Sequence, residues 1–569
     1  MILALTGVPL VIVSIIAFIL ILGIIIIIHE GGHFFFARRA GILCHEFSIG
    51  MGPAIYKKQF NETTFCIRAI PIGGYVSMAG EEISNELVKV GDTIGINILD
   101  NKISEIVTVE EVDAMVRGEV ISVDLYGQEG NPLYITIHDG FQEQYFEVLE
   151  DAYYVLKKGE KLQITPYNRC FESKTIWQRF LTLFAGPLMN FILAIILYLI
   201  VSFATGVPNT ASTIIGDVSR ANSDLLVETE NGSTTKLLPG DDIQSINGVK
   251  ISSWDDLSTE LDKLLDTGTT QVKMEVLRNG TLLNFDFDCY TYIVSLGISN
   301  MQVKNQEFPS EVKHGVRLGA IGLRYLDDAN KGDYPIQSGD ILTKMRVDQV
   351  NSDKTVTPGN VVDITSWDQL IKVFKDADIV NVYFEYYSYQ KKGIVSIEEC
   401  SALQTYGNEV LENQRIEKIQ VKVGISPTTK FDFFRCIGNA FVDFWDDFTL
   451  IFRTLGLLIF PSSGGIRQVG VSDLSSFVGI FDLVKTFVGS GLLSLMAFTA
   501  MLSVNIGVMN LLPIPALDGG RIVFLGYELV TRKKPSKKVE NIINNVFFIL
   551  LMILFVYVTY NDIVRLIRK

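Results

Sequence analysis

Charged residues are missing from the first 28 positions of this chain, and histidine is scarce throughout, with 5 in 569 residues. An uncharged run of that length excludes a water-exposed N-terminal segment. It suits the hydrocarbon core of a bilayer, roughly 30 Å thick and crossed by about 20 helical residues. Cysteine is thin as well. The 6 cysteines form no CxxC pair, so neither a disulfide framework nor a thiolate zinc site is indicated. Cys289 and Cys400 could be bridged only if their region faced an oxidising space. A surplus of positive charge is also lacking, and the net charge of −15 argues against nucleic acid as a partner. The chain is 48% hydrophobic and 20% charged, averages over apolar ends and a polar, acidic middle, and its length leaves room for several domains.

The uncharged run leads directly into the pentapeptide His29 to His33, in the pattern HExxH. Residues four apart share a helix face, so His29 and His33 can present both imidazoles to one metal ion, with Glu30 close enough to act on a bound water. Ionisable groups at membrane depth cost several kcal/mol, about 2.5–3.5 on insertion scales, unless paired or ligated, which argues against a decorative role. Gly31 and Gly32 inside a helix each cost roughly 1 kcal/mol, which closely packed neighbours could offset.

Four hydrophobic segments are long enough to span: residues 8–33, 180–206, 484–512 and 542–560. A cleaved signal peptide is the alternative for the first, but no basic residue precedes it and cleavage would discard the motif. Residues 433–460 mix aromatics with Asp443, Asp446 and Asp447, a pattern suited to an interfacial amphipathic helix. Arg38 and Arg39 follow the first span, Lys174 and Arg179 precede the second, and five basic residues from Arg532 to Lys538 separate the last two. These flanks are expected to be cytoplasmic, placing the N-terminus, residues 207–430 and the C-terminus outside. Arg565, Arg568 and Lys569 run against that rule.

A catalytic zinc takes a third protein ligand, and the candidate is Asp518. Pro513 and Pro515 must break the third span near it, and broken backbone at membrane depth is tolerated only around a cavity or protein interior. Capping or a turn before Gly519 and Gly520 is the plainer use of that aspartate, but beside an HExxH helix the ligand use is the better account. His29, His33 and Asp518 would leave a fourth position for water, with Glu30 as general base. His45 is the other histidine that could approach; His138 and His314 are isolated.

The ordered blocks His29 to His33, Phe47 to Pro53, Arg68 to Glu81, Ala185 to Phe191 and Ser503 to Arg521 together resemble the site-two proteases. Within that family the chain looks like the bacterial regulated intramembrane zinc metalloproteases with extracytoplasmic PDZ domains. The resemblance implies one zinc ion, a location in the cytoplasmic membrane with the active site towards the cytoplasm, and single-span membrane proteins or remnant signal peptides as substrates. It also implies that Gly73, Gly74 and Tyr75 belong to a membrane-reentrant β-loop that pairs with an unwound substrate strand, although Gly-Gly also suits an ordinary hairpin. Asn510 corresponds to a substrate-holding asparagine, or it glues helices together. Relatives carry a Gly-Pro pair where this chain has Val471 to Ile480.

The outer region contains an echo. Leu238 to Gly248 followed by Ile251 to Leu257 recurs loosely as Gln337 to Leu342 followed by Ile364 to Leu370, each copy with a serine-capped helix start at Ser253 or Ser366. The copies resemble tandem PDZ domains without a recognisable carboxylate-binding loop, serving as a filter against bulky ectodomains or as a spacer. Runs such as 120–125 and 134–138, between turns such as Gly127 to Gly130, make residues 83–165 an inserted β-rich cytoplasmic module.

The expected fold is therefore a polytopic α-helical membrane protein with about four transmembrane helices, a reentrant β-loop, that inserted module and two extracytoplasmic PDZ-like α+β domains. Its divisions are 1–40 with HExxH, 41–82 with the β-loop, 83–165, 166–206 with the second span, 207–305 and 306–430 as PDZ-like domains, 431–483 at the membrane surface, 484–530, and 531–569. Function divides between an intramembrane zinc protease and a catalytically silent PDZ-bearing scaffold. The intact Glu30 favours the protease.

Overall fold

The computed structural model describes residues 8–80, 87–109, 111–127, 131–156, 161–218, 226–228, 234–267, 270–300, 308–321, 336–351, 355–375, 380–400, 403–405, 418–459 and 475–568. Glu81, positions 128–130 of the turn beginning at Gly127, and residues 471–474 lie outside them. The chain divides into two compact units, one of Met1–Ala204, Ile437–Arg453 and Val471–Lys569, the other of Thr205–Cys436 and Thr454–Gly470.

The long helices are α1 (Val8–Arg39), α2 (Ile176–Thr205), α3 (Phe433–Ile459), α4 (Phe477–Ser490), α5 (Leu492–Leu511), α6 (Asp518–Thr531) and α7 (Lys537–Arg568), all in the first unit except the last residue of α2 and the two ends of α3. Isoleucine-rich α1 would be an indifferent helix in water, but in lipid a backbone amide has no competing solvent and must bond within its own segment. Four helices are long and apolar enough to cross a membrane, over Pro9–Arg39, Ile176–Thr205, Leu492–Leu511 and Lys538–Val564. The expected single segment 484–512 is corrected to two helices broken at Gly491, whose φ of 109° is open to glycine alone. With 14 residues α4 is about 21 Å long, too short to span. Along α3, Ala440, Phe444, Phe448 and Ile451 form one stripe that packs against Ala194 and Tyr198 of α2 and Ala500 and Val504 of α5.

The short helix α4 is held from its start. Asp562 of α7, 2% exposed, accepts bonds from the backbone N–H of Ser476 (2.6 Å) and its hydroxyl (2.7 Å). The Ser476 oxygen in turn caps α4 by accepting the Val478 N–H. Asp562→Ala leaves two buried donors unpaired and is expected to cost about 2–3 kcal/mol of unfolding free energy in detergent. An unfolding midpoint equal to wild type would contradict this role.

Between α1 and α2 lie two β-structures. Strand β1 (Cys44–Phe60) and strand β2 (Thr63–Met78) fold so that residues 46–49 pair with 64–67 on one side and with 74–77 on the other. The next strands are β3 (Thr93–Leu99), β4 (Lys102–Val107), β5 (Val116–Asp124), β6 (Tyr134–His138), β7 (Glu143–Val155) and β8 (Lys161–Gln163). They run in the order β4-β3-β5-β6-β7-β8, and a parallel β4–β7 pairing closes a barrel around Ile96, Ile103, Ile106, Ile135 and Ile137. The alternating runs at 120–125 and 134–138 supply β5 and β6.

The second unit repeats the turn of the sequence echo and the side-chain bond at each helix start. Asp241 and Asp340 accept the N–H of Leu238 (2.9 Å) and Gln337 (2.8 Å), and Gly240 and Gly339 precede them at φ 97° and 94°. Helices Trp254–Thr267 and Trp367–Lys375 come next, each begun by a side chain reaching back, Asp256 to the Ser252 N–H and Gln369 to the Thr365 N–H. The copies are nested and not in tandem. Residues expected to end the second copy instead complete the first, as Ile425–Pro427 pairs with Ile215–Val218, and Val423 enters the first core. Cys289 is buried in that first core while Cys400 packs against the second, and no disulfide joins them.

Candidate metal centre

His29 and His33, one helical turn apart on α1, are buried side by side with their Nε2 atoms 3.3 Å apart. Asp518 Oδ2 lies 3.2 Å from His29 Nε2 and 3.3 Å from His33 Nε2. A tetrahedron with ligand bonds of about 2.0–2.1 Å has edges of about 3.3–3.4 Å, so the three atoms mark out one face of a zinc coordination sphere. Asp518 is not a cap, since Leu517 holds the N-cap position of α6 and makes no side-chain cap bond.

The chain reaches this geometry through the proline break. After α5 ends at Leu511, Pro513 and Pro515 prevent its continuation, and Ala516 takes φ 77°, a left-handed conformation that costs a non-glycine residue roughly 1–2 kcal/mol. Gly519 and Gly520 then tuck α6 under the end of α5, where a Cβ would meet the Leu512 carbonyl at 2.2 Å or the Ile514 carbonyl at 2.5 Å. Strained backbone collected at one turn is the usual mark of a working site.

Helix α2 supplies what sequence reasoning missed. Thr182, Gly186 and Asn190 share the face turned to the histidines. The Thr182 carbonyl accepts from His33 Nδ1 at 2.8 Å, and the Asn190 amide lies 3.2 Å from His29 Nδ1. Gly186 sits between them, where a Cβ would fall 2.2 Å from His33 Nε2. Pro187, inside the helix, removes the donor for the Leu183 carbonyl four residues back and crowds that turn. The available signal was Asn190, a polar side chain in an apolar span. Arg179, expected as a flanking charge, is buried and makes a two-bond ion pair with Glu528 of α6 at 2.7 and 2.9 Å. Of the motif glycines, Gly32 has the expected close neighbour, the Ala185 carbonyl, whereas a Cβ at Gly31 would meet nothing within 4 Å.

The ligand face opens on a cavity of about 610 Å³ that also brings together Glu30, Asn510, Gly73, Gly74 and Tyr75. Asn510 Nδ2 is 3.5 Å from His29 Nε2. Every residue from Gly73 to Met78 lines the cavity. One edge of that stretch pairs with residues 46–49, and among the described residues no strand pairs with the other. Gly74 lets the strand close on Glu30, since a Cβ would come within 3.0 Å of Glu30 Cγ. Tyr75 and Arg68 both donate to Glu46, at 2.7 and 2.5 Å, which stiffens the strand. Burial and the Glu46 carboxylate push the Tyr75 hydroxyl up to about 12, so it stays a donor at physiological pH. Phe477 and Arg521 are further lining residues. His45 is engaged elsewhere, 3.1 Å from Thr165 Oγ1, and His138 accepts the Gly140 N–H.

Comparison with known proteins agrees with this geometry. The profile of peptidase family M50 matches residues 17–554. A Staphylococcus aureus (strain N315) protein that carries zinc metalloprotease in its name is 30% identical over 97% of this chain and 98% of its own. Zinc metalloprotease RasP of Shouchella clausii is 28% identical over 97% and 99%, and the regulator of sigma-W protease RasP of Bacillus subtilis (strain 168) is 29% identical over the same shares. Two histidines, an aspartate and a glutamate meeting at a break between membrane helices, together with a match across nearly the whole chain, place it in peptidase family M50 as a zinc metalloprotease of the site-two type.

Proposed function

We propose that this protein hydrolyses peptide bonds within or near the transmembrane segments of single-span membrane proteins. The observation that carries the reading is the free strand edge from Gly73 to Met78 beside the ligand face of His29, His33 and Asp518 in one cavity. A peptide bond inside a helix is shielded, so a substrate must unwind before it can be cut. An edge strand holds an unwound segment by main-chain hydrogen bonds whatever its side chains. Gly73, Gly74 and Tyr75 are the proposed docking positions, and the Asn510 amide is placed to hold substrate backbone.

One zinc ion held by His29, His33 and Asp518 would polarise the attacking water and the scissile carbonyl. Glu30 takes a proton as the water oxygen bonds to the carbonyl carbon, then delivers it to the amine nitrogen as the C–N bond breaks. Basic flanks support a cytoplasmic-membrane location with this chemistry towards the cytoplasm and the nested modules, PDZ-like in their repeated turns, outside. The Bacillus subtilis relative's name, regulator of sigma-W protease, supports membrane-tethered regulators as a substrate class.

Purified protein is expected to hold about one zinc per chain, as a three-ligand site does, and His33→Ala or Asp518→Ala to lose it. Reconstituted with a helical single-span substrate, it should yield two fragments cut inside the apolar segment. Zinc-loaded protein that leaves this substrate intact, or His33→Ala that keeps its zinc, would count against the reading.

A further inference from the structure

We propose that Asn190 is a positioning residue: its side-chain oxygen accepts the Nδ1–H of His29 and so fixes the tautomer that leaves Nε2 open to the metal. The inference rests on His29 and His33 being ligands through Nε2, the atoms that face Asp518. For His33 the tautomer is settled by backbone. A carbonyl can only accept, so the Thr182 oxygen at 2.8 Å keeps the ring proton on Nδ1 and leaves Nε2 with its lone pair. His29 needs the same state, yet its Nδ1 faces an amide at 3.2 Å, which can either donate or accept.

The two orientations of that amide have opposite consequences. With the nitrogen towards the ring, Nδ1 must accept, the proton moves to Nε2, and the atom facing Asp518 is closed to a metal. In that orientation the buried Asn190 oxygen also has no donor. With the oxygen towards the ring, Nδ1 donates, Nε2 is free, and the oxygen has its partner. Amide oxygen and nitrogen have nearly the same shape, so the hydrogen-bond network decides between them.

The position is built to hold this bond. Asn190 is fully buried, and its backbone carbonyl accepts the hydroxyl of Ser503, itself fully buried on α5, at 2.8 Å. That anchor is independent of the Asn190 side chain and survives its replacement. Partners behind a ligating imidazole orient the ring and raise its basicity, and their loss commonly costs 10–100-fold in metal affinity.

The test compares zinc affinity, by chelator competition, in wild type, Asn190→Leu and Asn190→Asp. Leucine has similar bulk and no acceptor, and should weaken zinc about 10–100-fold. Aspartate accepts with both oxygens and should stay within a few-fold of wild type. In zinc-loaded wild type labelled with nitrogen-15 and carbon-13, the His29 Nδ1–H should show a coupling across its hydrogen bond to the Asn190 side-chain carbonyl carbon, which only an accepting oxygen produces. Wild-type affinity in Asn190→Leu, an Asp variant as weak as the Leu variant, or no such coupling would each overturn the proposal. That coupling, read on wild type, decides the matter even if a variant fails to fold. Wild type that binds no zinc would instead sink the ligand assignment on which the inference rests.

Discussion

Glu30→Gln is expected to lower cleavage roughly 10²–10⁴-fold while leaving zinc bound, the span that loss of a positioned general base produces. Glutamine keeps the shape and hydrogen-bonding reach of glutamate but cannot accept the proton of the attacking water. The three proposed ligand atoms belong to His29, His33 and Asp518, so the substitution removes none of them. Packing should also be preserved, because glutamine has the bulk of the glutamate whose Cγ lies beside Gly74. The measurement pairs fragment yield from a reconstituted single-span substrate with metal content by mass spectrometry. Unaltered cleavage would remove Glu30 from the chemistry, and lost zinc would mean that the carboxylate helps hold the metal.

Gly186→Ala should be nearly as damaging, through geometry alone. The added methyl would fall 2.2 Å from His33 Nε2, 2.6 Å from His33 Cε1 and 2.9 Å from His29 Cε1, well inside van der Waals contact. Either α2 retreats or both rings turn away, and a displacement of about 1 Å at a reacting centre can cost on the order of 100-fold in rate. Zinc affinity should fall with activity, since the rings that move are the proposed ligands. Gly31→Ala is the matched control. It sits inside the HExxH motif, but its added methyl meets nothing within 4 Å. Alanine there should leave activity intact and favour the helix by up to about 1 kcal/mol. Equal behaviour of the two variants, read as zinc affinity and cleavage rate, would contradict this packing.

The sequence was most legible where one physical constraint dominated. Uncharged runs longer than about 18 residues give spanning helices because lipid leaves the backbone no alternative, and helical spacing alone puts His29 and His33 on one face. Asp518 could be found because a carboxylate beside two prolines in an apolar span has few stable fates. The break at Gly491 was hidden, since the apolar run 484–512 continues through it. The nesting of the outer copies was hidden as well. Pairing Ile215–Val218 with Ile425–Pro427 joins strands far apart in the chain, and short strands carry no mark of their partner. Asn190 was visible as a polar residue, but its bearing on His29 depends on how α1 and α2 pack.

The meeting of α1 with α6 has a consequence for the birth of the protein. Asp518 leaves the ribosome 485 residues after His33, so at about 5–20 residues per second roughly half a minute to a minute and a half separates them. Throughout that interval the nascent chain carries the Glu30 carboxylate and two imidazoles but no carboxylate from α6. A zinc metalloprotease is thus disarmed while its first two spans are being inserted, and it gains the third candidate ligand only once α6 has been made.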